Sequence, residues 1–131
     1  MSTETVAVVR SIYDNFAAGD IPAVLATLAD DIEWIESPQE FLPHHGTHRT
    51  PTAVAGKVFG MVMTCFDEFA VVPHTFHDAG STVVVEGRAV GKTKTGQILD
   101  APAAWVWTVA DGKVIANHNY HDTDAWRLAL A

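Results

Sequence analysis

Apolar positions recur at helical spacing from the start of the chain. Val6, Val9, Tyr13, Phe16 and Ala17 fall on one side of an opening helix, with Ser2 or Thr3 available as its cap. Gly19-Asp20 stops that helix, and Asp20 with Pro22 restarts a short one whose apolar side carries Val24, Leu25 and Leu28. After Asp30-Asp31 the period drops to two. Residues 32–36 then read as a strand, with Ile32, Trp34 and Glu36 on one face and Glu33 and Ile35 on the other. The next stretch holds Pro38, Pro43, Gly46 and the histidines His44, His45 and His48, and reads as a loop. Helical spacing returns over 52–66 through Val54, Val58, Met61, Val62, Cys65 and Phe66. Four strand-like runs follow, at 69–76, 81–92, 97–109 and 113–122, and a short helix over 124–130 closes the chain. Asp111-Gly112, between two alternating runs, is a hairpin turn, because both positions tolerate positive φ.

Helices, a strand, a helix and then an antiparallel meander make an α+β protein, not a doubly wound parallel sheet. A strongly curved, mostly antiparallel sheet wrapped around about three N-terminal-half helices would form a cone, its apolar mouth suited to a small molecule. With 131 residues, 48% of them apolar and 18% charged, the whole chain 1–131 is one domain with a sizeable core. A formal charge of −8 argues against nucleic acid or an anionic membrane as partner, since phosphate contacts need clustered Lys and Arg. The apolar runs are too short to span a bilayer and the first residues lack a basic signal-peptide region, so a cytoplasmic location is expected. One cysteine, Cys65, excludes an internal disulfide and a cysteine-based zinc site; on the stripe of the third helix it reads as inert core.

Several segments resemble the nuclear transport factor 2-like superfamily. They are Tyr13-Asp-Asn-Phe-Ala-Ala-Gly-Asp-Ile, Leu28-Ala-Asp-Asp-Ile-Glu-Trp and His45-Gly46 before the third helix. Ala101-Pro-Ala-Ala-Trp-Val-Trp-Thr-Val, Asp111-Gly-Lys-Val-Ile and Asn119-Tyr-His-Asp look like its SnoaL-like, ketosteroid-isomerase-related branch. The resemblance implies a half-open cone and a homodimer packed through the sheet. The near-continuous apolar character of Val83-Val84-Val85 and of residues 103–109 points to the same covered face. Members of the superfamily include isomerases, polyketide cyclases, hydrolases, dehydratases and proteins without chemistry, so the fold does not choose among them.

The related cyclases use an Asp near the end of the last strand as general acid/base, which the resemblance places on Asp122. Strand alternation groups Asp122 with Tyr120 and His118, and a carboxyl beside an imidazole and a phenol suits proton transfer. Asp122 can equally cap the terminal helix. In the steroid isomerases the base position corresponds to Glu36, but the oxyanion-donor positions fall on Ile12 and on Ala104 or Trp105. A true ketosteroid isomerase is therefore not expected. Glu36, in phase with Ile32 and Trp34, either lies inside the mouth or is solvated at the strand end. The candidate catalytic residues are thus Asp122, Glu36 and His118. Tyr13, Phe16, Trp34, Phe59, Trp105 and Tyr120 are expected to line a ligand pocket. No cofactor is implied, for no dinucleotide or phosphate loop is present. No metal is expected either, because the seven histidines show no ligand spacing on a predicted helix. The leading function is acid/base chemistry on a small apolar carbonyl or epoxide compound. The alternatives are a ligand-binding module without turnover and a dimeric interaction protein.

Overall fold

The computed structural model describes residues 2–131. Helix α1 (Ser2–Ala17) already contains Thr3 within its first turn, so Thr3 is not its cap, and the side chain of Ser2 lies outside what is described; the helix buries Val9, Ile12 and Tyr13. Gly19 takes φ 73°, and the Asp20 side chain accepts a hydrogen bond from the Ala23 amide at 3.1 Å to open α2 (Ile21–Ala26). Leu28, expected on that helix, instead begins β1 (Leu28–Ile35), four residues earlier than the alternation suggests. The third helix runs over 51–65. Thr50 caps it and Pro51 lies in its first turn, but its middle, Val54–Gly60, is π-helical.

The six strands form one curved, unclosed sheet in the order β2-β1-β6-β5-β4-β3. Four of them are long: β3 (Phe66–Ala79), β4 (Thr82–Thr93), β5 (Ile98–Ala110) and β6 (Lys113–His121). They make the antiparallel meander read from the sequence, with β3 extended at both ends by pairing along β4. A two-residue strand, β2 (Thr47–His48), lies within the segment read as loop. β1 pairs with β6 in parallel, Ile35 opposite His118, so the C-terminal ends of both strands lie side by side. That adjacency brings Glu36 to the end of β6.

The concave face holds the aromatic residues. Tyr13 packs against Trp105 and Trp107 with ring centroids 5.5 and 5.8 Å away, and Trp34 meets Trp107 and Phe59 edge-on at 5.5 and 5.6 Å. The Trp107 Nε1–H donates to the Tyr13 hydroxyl at 2.9 Å, and burial raises the Tyr13 pKa. These rings fill the cone. A second cluster, with Leu42, Val62, Phe66, Leu99 and Trp126, lies under the C-terminal helix (Thr123–Leu130). No helix among the described residues is long and apolar enough to cross a membrane.

Tight bending needs small side chains on the inner face of β4, and Gly87, Ala89 and Gly91 supply them. A Cβ on Gly87 would run into the Val72 carbonyl oxygen and approach the Trp105 ring to 2.7 Å. Gly87→Ala must push β3 away or eject the tryptophan, and should cost about 3 kcal/mol, the upper range for overpacking. Urea unfolding checks this; a variant as stable as the parent contradicts the account.

Candidate functional site

Glu36 is only 4% exposed, in phase with Ile32 and Trp34 just beyond β1. A carboxylate so placed has lost its water and must be repaid in hydrogen bonds. Its Oε2 accepts from Trp34 Nε1 and Asn119 Nδ2, both at 2.8 Å. Oε1 faces two imidazoles, with His121 Nε2 at 3.0 Å and His44 Nε2 at 3.8 Å. Trp34 comes from β1, Asn119 and His121 from β6, and His44 from the following loop. That loop folds back because the Glu36 amide donates to the Gly46 carbonyl at 2.9 Å, and Gly46, at φ 89°, donates to Ser37 at 3.1 Å.

Trp126 roofs the cluster, its ring centroid 4.9 Å from that of His44 and 5.7 Å from that of His121. Asp122 sets this roof in place. Its amide donates to the Pro102 carbonyl at 3.1 Å, and its side chain caps the terminal helix by accepting from the Ala125 amide, also at 3.1 Å. Four buried polar atoms around the carboxylate have no partner: His44 Nδ1, His121 Nδ1, Asn119 Oδ1 and Trp126 Nε1.

Burial alone would raise the Glu36 carboxyl. The His121 hydrogen bond, the electrostatic influence of the His44 and His121 imidazoles, and the Trp34 N–H outweigh it and hold the group below the ordinary carboxylate range. His44 is pushed down to about 4, chiefly by its own burial, although Glu36 opposes the shift. Near neutral pH it is therefore uncharged, and the carboxylate depends on Trp34, Asn119 and His121. The ligating atoms of Glu36, His44 and His121 all lie within 4.8 Å of one another, so these three residues could hold a metal ion.

The SnoaL-like domain model matches residues 9–117. The chain belongs to the SnoaL-like family, within the nuclear transport factor 2-like superfamily. It is similar to the crystal structure of a nuclear transport factor 2-like protein from Burkholderia thailandensis E264, with 29% identity, 97% of each chain covered and a TM-score of 0.90. The fold is also that of TerC, crystallised with polyporic acid: identity is 22%, coverage 97% of this chain and 98% of TerC, and TM-score 0.89. A protein from Jannaschia sp. CCS1, provisionally assigned as a SnoaL-like polyketide cyclase, is 23% identical over 98% of this chain and 92% of its own, with a TM-score of 0.79. No functionally curated protein matches the chain by sequence.

In this SnoaL-like chain the alternation along β6 is as expected, but the opposite face is the inner one. Asn117, Asn119 and His121 point inward. His118 and Tyr120 stack on each other on the outer side, with ring centroids 4.2 Å apart and Tyr120 53% exposed, and Asp122 is exposed at its cap. A bulge explains the reversal. Thr108 pairs with Ala116 and Val109 with Val114, so Ile115 is skipped and every later side chain changes face. The expected grouping of Asp122, His118 and Tyr120 inside the cone is thus corrected, and Tyr120 is no part of an interior pocket. Tyr13, Phe16, Trp34, Phe59 and Trp105, expected to line a ligand pocket, pack on one another in the hydrophobic core, Phe16 and Phe59 partly buried. Surface hollows of about 530 and 440 Å³ lie elsewhere, beside Gly80 and Asp111 and beside Gly91 and Ile98. His44, Asn119, His121 and Trp126, which surround Glu36, are not among the residues that the sequence pattern singles out.

Both shifted groups make the protein acid-labile. Between the ordinary 6.5 and about 4, the unfolded chain protonates His44 while the folded chain refuses the proton, so stability falls with pH. Glu36 adds its own loss at lower pH, where the unfolded carboxylate is protonated first. Urea unfolding in a chelating buffer should show about 2 kcal/mol less stability at pH 5 than at pH 7. His44→Gln should flatten that slope; an equally steep slope in the variant contradicts the assignment.

Proposed function

We propose that this SnoaL-like protein is an acid/base enzyme acting on a small, enolisable carbonyl compound, with Glu36 and His121 as its proton-exchanging pair. The observation that carries this reading is the concentration of unpartnered buried polar atoms around one ionised carboxylate. Each buried polar atom without a partner costs roughly 1–3 kcal/mol, and a network serving stability alone would be satisfied. An incomplete set inside an aromatic interior suits a ligand that brings its own oxygen atoms. Glu36 Oε1 and His121 Nε2, at 3.0 Å, can exchange a proton, while Trp34 and Asn119 hold Oε2 and fix the carboxylate. Entry to the pair requires displacement of its cover, Trp126 on the terminal helix and the loop carrying His44. Asp122 acts in this scheme by positioning Trp126, and His118 takes no part.

The filled cone favours a second reading, a binding or interaction module without turnover. Hydrogen–deuterium exchange at carbon, followed by NMR on a panel of enolisable ketones and hydroxyquinones, separates the two. The parent should catalyse exchange on at least one compound, and Glu36→Gln should slow it about a hundredfold or more, the scale of general acid/base loss. Ligands that bind without any exchange contradict the enzyme reading.

The partner in solution is proposed to be a second copy of the chain. Support comes from the outer face of β4 and β5, where Val84, paired with Val106, and Ala104 form an apolar strip that ends at Glu86 and the Arg88–Asp100 ion pair, and from Ile98, 69% exposed at the start of β5. Light scattering at micromolar concentration should give twice the 14.1 kDa chain mass; a clean monomer contradicts it.

A further inference from the structure

We propose that Glu36, His44 and His121 are a binding site for one divalent transition-metal ion of the zinc, cobalt or nickel kind. The inference rests on the reading of this cluster as the functional centre, and goes beyond it by naming a ligand. Two imidazole nitrogens and a carboxylate oxygen converge from three segments of the chain. The carboxylate oxygen Oε1 is 3.0 Å from His121 Nε2 and 3.8 Å from His44 Nε2, and all three atoms fit within 4.8 Å. Ligands at about 2.0–2.2 Å from an ion lie roughly 3–3.5 Å from one another, so the set closes around a cation with small side-chain rotations. Two nitrogens and one oxygen suit borderline transition metals; magnesium and calcium prefer an all-oxygen shell.

The surroundings fit the same purpose. Trp34 Nε1 and Asn119 Nδ2 occupy Oε2, both at 2.8 Å, which turns Oε1 towards the histidines; metal-binding carboxylates are oriented by such outer contacts. β1 and β6, paired in parallel, fix two of the ligand-bearing ends, and the Glu36–Gly46 backbone hydrogen bond anchors the loop that brings the third. Among the described residues no Lys or Arg hydrogen-bonds or ion-pairs with Glu36, so no fixed positive charge there competes with an incoming cation. His44 and Glu36 are both 3–4% exposed in their side chains and His121 5%. Asn119 Oδ1 and Trp126 Nε1 are buried without hydrogen-bond partners among the described residues, on side chains that touch the ligand-bearing groups. A metal ligand must offer its lone pair, so binding requires both Nε2 atoms and Oε1 free of protons. A loaded site is a metal centre; an unloaded one is an acid/base pair.

The test uses the full chain stripped with chelator and titrated with zinc or cobalt chloride. Calorimetry should show one ion per chain at micromolar Kd or tighter. Cobalt should quench tryptophan fluorescence, because Trp34 and Trp126 border the site, and should give the visible absorption of four- or five-coordinate cobalt. His44→Gln and His121→Gln should each weaken binding about a hundredfold or more, and Asn119→Ala about tenfold, the scale for an outer contact. Folding is checked by circular dichroism, and His118→Gln, on the outer face, should change nothing. Absence of stoichiometric binding overturns the proposal, as does binding that survives His44→Gln and His121→Gln or is lost in His118→Gln. Carbon-proton exchange by the stripped protein without cobalt binding removes the metal site and leaves the enzyme reading standing. Cobalt binding without exchange does the reverse.

Discussion

A carboxylate with almost no access to water must be surrounded by donors, and that requirement at Glu36 organises one end of the molecule. A buried charge left unpaired would cost several kcal/mol. The pairing here draws on Trp34 beside it on β1, on Asn119 and His121 from β6, and on the His44 loop. None of these groups is a permanent cation. The charge is held by N–H dipoles and by whatever proton the imidazoles carry, so the cluster is open to exchange in a way that an Arg–Glu pair would not be. Trp126, sealed over it by the helix that Asp122 starts, keeps the surroundings apolar and strengthens each of these interactions.

The remainder of the cone is consistent with this division of labour. Edge-to-face packing among Tyr13, Trp34, Phe59 and Trp107, with Trp105 tilted against Tyr13, fills the interior, and the small residues of β4 allow the sheet to bend around it. Apolar burial supplies the bulk of the stability, and the Glu36 cluster spends a part of it on polar atoms with no partner. The function proposed for this SnoaL-like chain is thereby placed at the seam between β1 and β6, where the sheet is parallel.

Much of the fold is legible in the residues themselves. The helix at Tyr13, the Gly19-Asp20 break, the Asp111-Gly112 hairpin and the phase of Ile32, Trp34 and Glu36 all follow from periodicity and turn chemistry. The site was half legible. Alternation separated Asn117, Asn119 and His121 from His118, Tyr120 and Asp122, but a period of two does not say which set faces inward. The bulge that skips Ile115 decides it, and a bulge in a β-rich run leaves no mark in the pattern when both neighbours are apolar. His44 is eight residues from Glu36 and His121 is eighty-five, so no local ligand spacing could disclose the trio. The terminal helix did carry a signal: Trp126 and Ala129 are its buried positions, and a tryptophan on so short a helix needs something to cover.

The central claim is that Glu36 is ionised inside the cone because its donors outweigh its burial. Carbon-detected NMR of the assigned Glu36 side-chain carboxyl, in chelator and across acidic to neutral pH, reads its protonation directly. The account predicts the carboxylate shift at neutral pH and its persistence to pH values below the ordinary glutamate range. A carboxyl that is protonated at neutral pH, as burial alone would dictate, would contradict it.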